Sequence, residues 1–288
     1  MILNKKRMIA GGLLCSLSLL LFPTNDLVHA ETTVNNKVDN IVTILANTKY
    51  NYDLDGDGDN DEFYYESIAS SNPDDNYAAT LKLYINNKLC LTRKDGGFGY
   101  YMQLCDVDTS DSYLDLYVNN SMESDGVKYC SFARYDGEKV TEITGIKESK
   151  ANKDFGLFRF GLEKINGDGT FRIDADTPIY SEAIGCYLCY LNYEIKDNKI
   201  VAIPEKSYSF TKYSKDYKYK ATRAFTVYKT AGSKKVAFQV KKGATLHFDK
   251  LYVSPSGKAY VRAKNSAGKT GWIRADKKDL FYERPLWG

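Results

Sequence analysis

The chain has 288 residues, of which 43% are hydrophobic and 27% are charged, and its formal net charge is only +3. Beyond residue 30 no apolar run is long enough to span a bilayer, which disfavours a membrane-spanning protein. Only two histidines are present, which disfavours catalysis that depends on a histidine base.

Residues 1–30 have the organisation of a secretory signal. Three basic residues at positions 5–7 precede an apolar stretch at 11–22, and small residues at 28–30 form a cleavage site. The apolar stretch, of about twelve residues, is too short to cross a bilayer comfortably. We therefore expect a mature chain that begins near Glu31, is secreted to the extracellular space or the cell wall, and keeps no membrane anchor.

Charge is distributed very unevenly along the mature chain. Residues 31–210 hold eighteen Lys and Arg against 31 acids, a net charge of −13. Residues 211–288 hold nineteen Lys and Arg against five acids, a net charge of +14. Such asymmetry indicates two domains, one of which meets a charged partner, or two halves that neutralise each other in one compact protein.

Aromatic residues and tight-turn sequences dominate the mature chain. There are 24 tyrosines and 13 phenylalanines, and Asn-Gly, Asp-Gly and Ser-Gly dipeptides recur. Aromatic side chains favour strands and these dipeptides favour turns, so we predict an all-β fold. Residues 36–46 have the apolar spacing of a short helix, and a strand fits them nearly as well. Predicted strands of the acidic half are 80–85, 89–91, 98–104, 127–135 and 139–143.

The most distinctive stretch is residues 53–61, in which five Asp alternate with other residues and two glycines permit tight turns. Calcium requires about six to eight oxygen ligands at roughly 2.3–2.6 Å, and alternating acids in a short loop can supply them. Without an ion these like charges would repel one another. The predicted ligands are the carboxylates of Asp53, Asp55, Asp57 and Asp61 and the main-chain carbonyl of Asp59. The alternative is a solvated acidic turn.

This loop is not an EF-hand, because the twelfth residue from Asp53 is Tyr64 rather than Glu and a strand-like sequence follows. The Asp-Gly-Asp-Gly sequence at 55–58, followed by Asp61 and Phe63, resembles the calcium hairpins of FG-GAP and VCBS repeats, which form blades of integrin-like β-propellers. The resemblance implies that the ion is Ca2+ and that it stiffens a hairpin without taking part in chemistry.

Two later stretches resemble the first loop. Residues 106–118 are one residue longer and poorer in acids, and the second, weaker metal loop is predicted at Asp106, Asp108, Asp111 and Asp115. Residues 166–170 form a third candidate with Asp174 at the ninth position, but Phe171 stands where the first loop has Gly58. We therefore predict a plain turn there.

The first two loops start about 53 residues apart, which is the size of a propeller blade. The domain predicted at residues 31–210 holds about three such units, fewer than the usual four to eight blades. We expect either an atypical, propeller-like repeat domain or a β-sandwich of similar hairpins.

Five cysteines follow the predicted signal, and an odd number leaves at least one thiol free. Export permits disulfides, but the sequence does not decide a pairing. Cys186 and Cys189 have the spacing of a redox motif, yet strand alternation would direct their side chains to opposite faces. We expect buried, unreactive thiols for most of these residues: Cys90, Cys105, Cys130, Cys186 and Cys189.

Catalytic residues are hard to place. His247 is the only histidine beyond residue 30, and its strand-like surroundings favour a structural role. A pair of carboxylates could hydrolyse glycans, but acids in glycine-rich loops are better explained by a metal. We therefore expect a binding protein without enzymatic activity. The alternative is a secreted hydrolase of glycan or peptide that its C-terminal domain directs to the wall.

Residues 217–288 read as five short strands with glycines in the turns. Predicted strands are 224–228, 235–240, 245–253, 259–263 and 270–274. The sequences at 225–229, 236–246 and 260–261, closed by Gly-Lys-Thr-Gly-Trp-Ile at 268–273, resemble the bacterial SH3 domain and imply a small SH3-like barrel. The usual Asn-Val-Arg of that family is replaced by Thr-Val-Tyr at 226–228, which puts its ligand contacts in doubt.

Such domains in exported bacterial proteins commonly bind peptidoglycan. A net charge of +14 also attracts an anionic glycopolymer, and aromatic faces can stack on sugars. The resemblance suggests Tyr228, Tyr260 and Trp272 as ligand-binding residues, although a tryptophan at the position of Trp272 more often belongs to the barrel core. We expect a cell-wall polymer as the partner and no nucleic acid, which an exported protein rarely meets. The sequence does not indicate an oligomeric state.

Overall fold

The computed structural model describes residues 41–70, 79–94, 97–122, 126–143, 146, 159–176 and 181–286. The predicted signal at residues 1–30 lies outside this part of the chain. Within it, the elements are twenty strands and one helix of five residues. No helix of the described residues combines the length and apolar character that crossing a bilayer requires.

The acidic part of the chain contributes thirteen strands within the described ranges. They are β1 (Val42–Ile44), β2 (Tyr50–Tyr52), β3 (Asp61–Ile68), β4 (Thr80–Ile85), β5 (Lys88–Arg93), β6 (Gly99–Cys105), β7 (Asp115–Ser121), β8 (Val127–Tyr135), β9 (Val140–Ile143), β10 (Phe160–Ile165), β11 (Thr170–Asp176), β12 (Leu188–Lys196) and β13 (Lys199–Ala202). The remaining elements are β14 (Tyr208–Ser209), α1 (Lys212–Asp216), β15 (Tyr219–Lys220), β16 (Phe225–Tyr228), β17 (Val236–Val240), β18 (Thr245–Val253), β19 (Ala259–Asn265) and β20 (Thr270–Arg274).

These strands form four antiparallel sheets, none of which closes on itself among the described residues. The first sheet has the order β2-β3-β4-β5, the second β1-β6-β7-β8-β9 and the third β10-β11-β12-β13. The fourth sheet has the order β14-β18-β19-β20-β16-β17, and β15 also pairs with β18. The predicted all-β class is therefore confirmed, whereas the resemblances to a propeller and to the SH3 domain stay predictions.

The first three sheets pack face to face in a row. One core lies between the first and second sheets and includes Phe63 and Met102. Another lies between the second and third sheets, where the rings of Phe132 and Phe171 meet edge to face at 4.9 Å. Because side chains alternate along a strand, a sheet in the middle of the row must bury both faces. The first six residues of β7, in the second sheet, are accordingly all buried.

The fourth sheet wraps around its own core. Val227, Phe248 and Val261, from three different strands, are fully buried in one cluster. Gly271 permits the tight crossing of β20 and β16, because a Cβ at this position would lie 2.6 Å from the carbonyl oxygen of Tyr228. A side chain there would therefore force the two strands apart.

The third and fourth sheets are joined by shared packing. Residues 183–189, which the sequence analysis assigns to the acidic domain, contribute Ile184, Tyr187 and Cys189 to the core of the fourth sheet. The ring of Tyr187 stacks on that of Phe210 at 4.5 Å, and Tyr219 Oη donates to the carbonyl oxygen of Ile184 at 3.1 Å. The boundary predicted between residues 210 and 217 thus cuts through a continuous interior.

Most local predictions agree with the structure. The strands predicted at 80–85, 127–135, 245–253 and 270–274 are confirmed with these bounds, and the other predicted strands are found with shifts of one or two residues at their ends. Of the two alternatives for residues 36–46, the strand is found at 42–44, while 36–40 lie outside the described residues. The third sheet was not predicted.

Candidate metal loop and basic groove

Each of the first three sheets has a loop at the corresponding place, between the first two of its four strands that are consecutive in sequence. The first loop, residues 53–60, joins β2 to β3. The second loop, residues 106–114, joins β6 to β7, and the third loop, residues 166–169, joins β10 to β11. The three loops therefore lie along one edge of the row of sheets.

The first loop is folded around the carboxylate of Asp53. Asp53 Oδ1 accepts a hydrogen bond from the backbone N–H of Gly56 at 2.7 Å, and Oδ2 accepts one from Gly58 at 3.0 Å. Both glycines have positive φ, at 77° and 97°. Residues other than glycine rarely adopt this conformation, so the glycines allow the chain to turn around the acid.

Three of the five predicted ligands are brought together. Asp53, Asp55 and Asp61 offer carboxylate oxygens that all lie within 4.8 Å of one another, and no other such group of acids, Cys or His is found among the described residues. Asp57 and Asp59 are exposed and stand outside this group. The loop can therefore supply three convergent carboxylates, with Asp57 and the carbonyl of Asp59 beside them in sequence.

Asp61 carries an electrostatic cost at this site. Burial raises the pKa of its carboxyl group, against the opposing effect of hydrogen bonds from the Leu54 N–H at 3.0 Å and Asn86 Nδ2 at 2.7 Å. The negative charges of Asp55 and Asp57 raise the pKa of Asp61 further. A bound cation would remove this penalty, because an opposite charge favours the ionised form.

The second sheet covers the first loop. The backbone N–H of Leu114 donates to the carbonyl oxygen of Leu54 at 3.0 Å. A Cβ at Gly56 would lie 2.2 Å from Cβ of Ser112, and one at Gly137 would lie 2.7 Å from Asp55 Oδ2. Glycine is thus required on both sides of this contact, because a side chain would displace the loop or its carboxylate.

At the second loop, where the sequence predicts a metal ion, the acids bind the guanidinium group of Arg134. Arg134 Nε and Nη2 each donate to Asp115 at 3.0 Å, and Nη1 donates to Asp111 at 2.9 Å. Asp108 accepts instead from the N–H and hydroxyl of Ser110. The predicted second metal loop of Asp106, Asp108, Asp111 and Asp115 does not form a group of three convergent carboxylates among the described residues. Among the described residues, only the first loop therefore remains a candidate metal site.

The third loop is a four-residue turn, as the sequence predicts. Asp168 Oδ1 accepts from the N–H and hydroxyl of Thr170, which closes the turn without an ion. The turn lies against the second loop, where the Thr109 N–H donates to the carbonyl oxygen of Gly167 at 3.0 Å. Asp174, the ninth residue of the motif, lies well inside β11 because this turn is shorter than the first loop.

A basic groove in the fourth sheet contains all three predicted ligand-binding residues. The groove has a volume of about 450 Å³, and Tyr228, Tyr260 and Trp272 line it. Trp272 is half-buried on the face opposite to Ile273, which packs in the core. Of the two alternatives for Trp272, the structure therefore favours the groove.

Positive charge surrounds these rings. The described lining residues include Arg223, Lys234, Arg274 and Lys277 but no acid. Arg274 is paired with Asp276, which lies outside the groove, and the other three cations are exposed. The groove therefore combines an aromatic surface with an excess of positive charge, an arrangement suited to an anionic or sugar-containing ligand.

Burial keeps two of the thiols protonated, and the histidine has a backbone partner. The five described cysteines are free, and burial raises the pKa of Cys130 to about 12 and that of Cys186 to about 11. Thiols with such pKa values are protonated and unreactive at neutral pH. His247 Nδ1 lies 3.1 Å from the carbonyl oxygen of Lys215, a backbone partner that ties β18 to α1.

Comparison of the chain with models of protein families, with curated proteins and with solved structures found no match.

Proposed function

We propose that this is a secreted, cell-wall-associated binding protein that has no enzymatic activity. In this proposal the first loop binds calcium and stabilises the row of sheets, and the fourth sheet attaches the protein to an anionic wall polymer or peptidoglycan. The observation that carries the proposal is the basic groove, in which Tyr228, Tyr260 and Trp272, from three strands, meet four cations and no acid among the described lining residues.

The first loop fits a calcium ion better than the other two loops. Its three convergent carboxylates are hard oxygen ligands, and calcium tolerates the irregular geometry of a short loop. Asp53, Asp55 and Asp61 would hold the ion, with Asp57 and the carbonyl oxygen of Asp59 completing the set. The ion would supply positive charge and rigidity, while these residues hold the hairpin of β2 and β3 against the second sheet.

Calcium is expected to raise the melting temperature of the full chain. At a free concentration a hundredfold above the dissociation constant, a ligand that binds only the folded state adds about 2.7 kcal/mol. This corresponds to roughly 5–10 °C for a protein of this size. The shift should vanish in the double variant Asp55→Ala with Asp57→Ala, and scanning calorimetry with calcium or EDTA measures it.

A matched double variant controls for the loss of two charges. Glu194→Ala with Glu283→Ala removes two carboxylates from other parts of the surface, and its calcium shift should equal that of the unaltered chain. Identical melting curves of the unaltered chain in calcium and in EDTA would exclude the proposed metal site.

Charge reversal in the basic groove is expected to weaken wall binding. Lys234→Glu with Lys277→Glu places two negative charges beside the aromatic rings. Sedimentation with purified bacterial cell walls should show that the affinity falls by about tenfold or more. Binding of the unaltered chain should also fall as salt is added, because salt screens exposed charges.

The control for this prediction carries the same net charge. Lys242→Glu with Lys264→Glu reverses two exposed lysines of the fourth sheet that do not line the groove, and it should bind walls nearly as well as the unaltered chain. Equal loss of binding in both double variants would indicate attraction by overall charge and would count against a defined groove.

A further inference from the structure

A second cavity is lined by residues of the second and third sheets, at the edge opposite to the three acidic loops. It has a volume of about 500 Å³ and is lined on one side by Tyr101 and Ser121 and on the other by Phe160, Asp174 and Leu188, among others. We call it the inter-sheet cleft. Its walls are partly aromatic and apolar, and its volume is sufficient for a ligand of the size of an amino acid.

The inter-sheet cleft carries an excess of negative charge. Asp174 and Asp176 both line it, and Arg159 is the one cation among its described lining residues. Arg159 Nη1 lies 3.8 Å from Asp176 Oδ2, so the guanidinium compensates Asp176. Asp174 Oδ1 accepts a hydrogen bond from the Gly161 N–H at 3.2 Å, which leaves its charge uncompensated. Within the described ranges no Lys or Arg forms an ion pair with Asp174.

Partial burial makes this uncompensated charge unfavourable. Desolvation raises the pKa of Asp174, and the negative charge of Glu163 raises it further. Desolvation, followed by smaller contributions from Cys130 and then Asp174, raises the pKa of Tyr101 to about 12, so its hydroxyl group is protonated. A cation beside Asp174 would offset the cost of keeping a carboxylate out of water.

A buried polar atom on the face of the second sheet that carries Tyr101 also lacks a partner. Asn119 is fully buried, and its Oδ1 has no hydrogen-bond partner among the described residues. Asn119 pairs with Tyr101 across β6 and β7 and is two residues from Ser121, so it lies on the face that the two lining residues share. Its Nδ2 donates to Tyr117 Oη at 3.3 Å, which fixes the amide with Oδ1 free to accept.

We propose that the inter-sheet cleft binds an organic ligand through an ammonium group, which pairs with Asp174. The rings of Tyr101 and Phe160 contribute cation–π attraction, and Leu188 and Val127 contact the hydrocarbon part of the ligand. Because Asp174 and Asp176 do not belong to a group of three convergent metal ligands, an organic cation fits this site better than a metal ion. This inference is independent of the proposed wall binding and of the calcium loop.

Two probes that differ only in charge test the proposal. Nα-acetyl-lysine amide carries an ammonium group at the end of an alkyl chain, and Nα-acetyl-norleucine amide has the same body without the charge. Isothermal titration of the full chain should detect binding of the lysine probe and none, or binding at least about tenfold weaker, of the norleucine probe, because hydrogen bonds to charged groups are the strong ones.

Asp174→Asn should weaken binding of the lysine probe by about tenfold or more. The variant is expected to melt at or above the temperature of the unaltered chain, because it removes a buried charge without changing the shape of the side chain. Asp197→Asn is the matched control, since Asp197 is exposed in a turn of the same sheet and asparagine tolerates its positive φ of 51°. Its binding should be unchanged.

A second variant keeps the test decisive if Asp174→Asn is poorly folded. Phe160→Leu retains an apolar wall but removes the ring, and it should weaken the lysine probe severalfold while leaving the norleucine probe unaffected. The proposal is overturned if the unaltered chain does not bind the lysine probe, if both probes bind equally, or if folded Asp174→Asn binds the lysine probe as tightly as the unaltered chain.

Discussion

Replacing Arg134 by alanine is expected to lower the free energy of unfolding by about 3–5 kcal/mol at neutral pH, because it leaves a buried carboxylate without its partner. The side chain of Asp115 is fully buried, and Arg134 donates two hydrogen bonds to it at 3.0 Å. Denaturation by urea, followed by circular dichroism, measures the loss.

The loss should depend on pH. Burial already raises the pKa of Asp115, and the hydrogen bonds and charge of Arg134 lower it, so the pKa rises further in the variant. A carboxyl group whose pKa is higher in the folded state than in the unfolded state favours folding when it is protonated. The deficit of Arg134→Ala should therefore shrink as the pH falls through the raised pKa towards about 4, the ordinary value of an aspartate.

Arg172→Ala is the control for the loss of an arginine whose acidic partner is not buried. Arg172 pairs with Glu163, but both side chains are about one third exposed, at 32% and 31%. Exposed ion pairs contribute about 0–1 kcal/mol, so this variant should lose little stability. A deficit of Arg134→Ala that is the same at pH 7 and pH 4 would show that packing of the arginine, and not its charge, supports the second loop.

Phe210→Ala is expected to destabilise the protein by about 3–5 kcal/mol, because it removes a large buried side chain and leaves a cavity. Phe210 is fully buried between the third and fourth sheets, and its ring stacks on Tyr187 at 4.5 Å. The two sheets share one core at this point, so we expect them to unfold together in a single transition.

The control for this prediction is Tyr213→Ala, which truncates an aromatic residue that is 72% exposed in α1. Surface substitutions of this kind usually change stability by less than about 0.5 kcal/mol. Calorimetry of both variants measures the difference. Two separate transitions in the unaltered chain, with only one of them shifted by Phe210→Ala, would contradict the shared core.

Local sequence was sufficient to predict most strands and turns. Alternation of apolar and polar side chains depends on a period of two residues, and the positive φ of turn glycines depends on the absence of a Cβ atom. The strand at 127–135 and the turn glycine Gly243, with φ of 80°, are examples that the structure confirms. The third sheet was not predicted, because its short turn at 166–169 lacks the row of acids that marks the first loop.

The pairing of the second loop's acids with Arg134 could not be predicted in the same way. Its acids resemble those of the first loop, and the residue that neutralises them comes from β8, after the loop and β7. Asp115 and Arg134 meet because the antiparallel pairing of β7 and β8 places them opposite each other. Such a register depends on the packing of whole sheets and is not encoded in the spacing of the acids.

The same distinction applies to the two cavities. Sequence alone singled out Tyr228, Tyr260 and Trp272, and they meet in one groove because β16, β19 and β20 are neighbours in the fourth sheet. No sequence pattern indicated the inter-sheet cleft, whose walls include residues as distant along the chain as Tyr101 and Asp174.

By itself, the sequence determined the all-β class, the positions of most strands and the crowding of acids in the first loop, because these depend on residues that are close together along the chain. The tertiary structure alone decided which carboxylates converge, that Arg134 neutralises the second loop, and that the third and fourth sheets share a core. These outcomes depend on which faces are buried against each other, and burial determines both the strength of a charge and the partner that it meets.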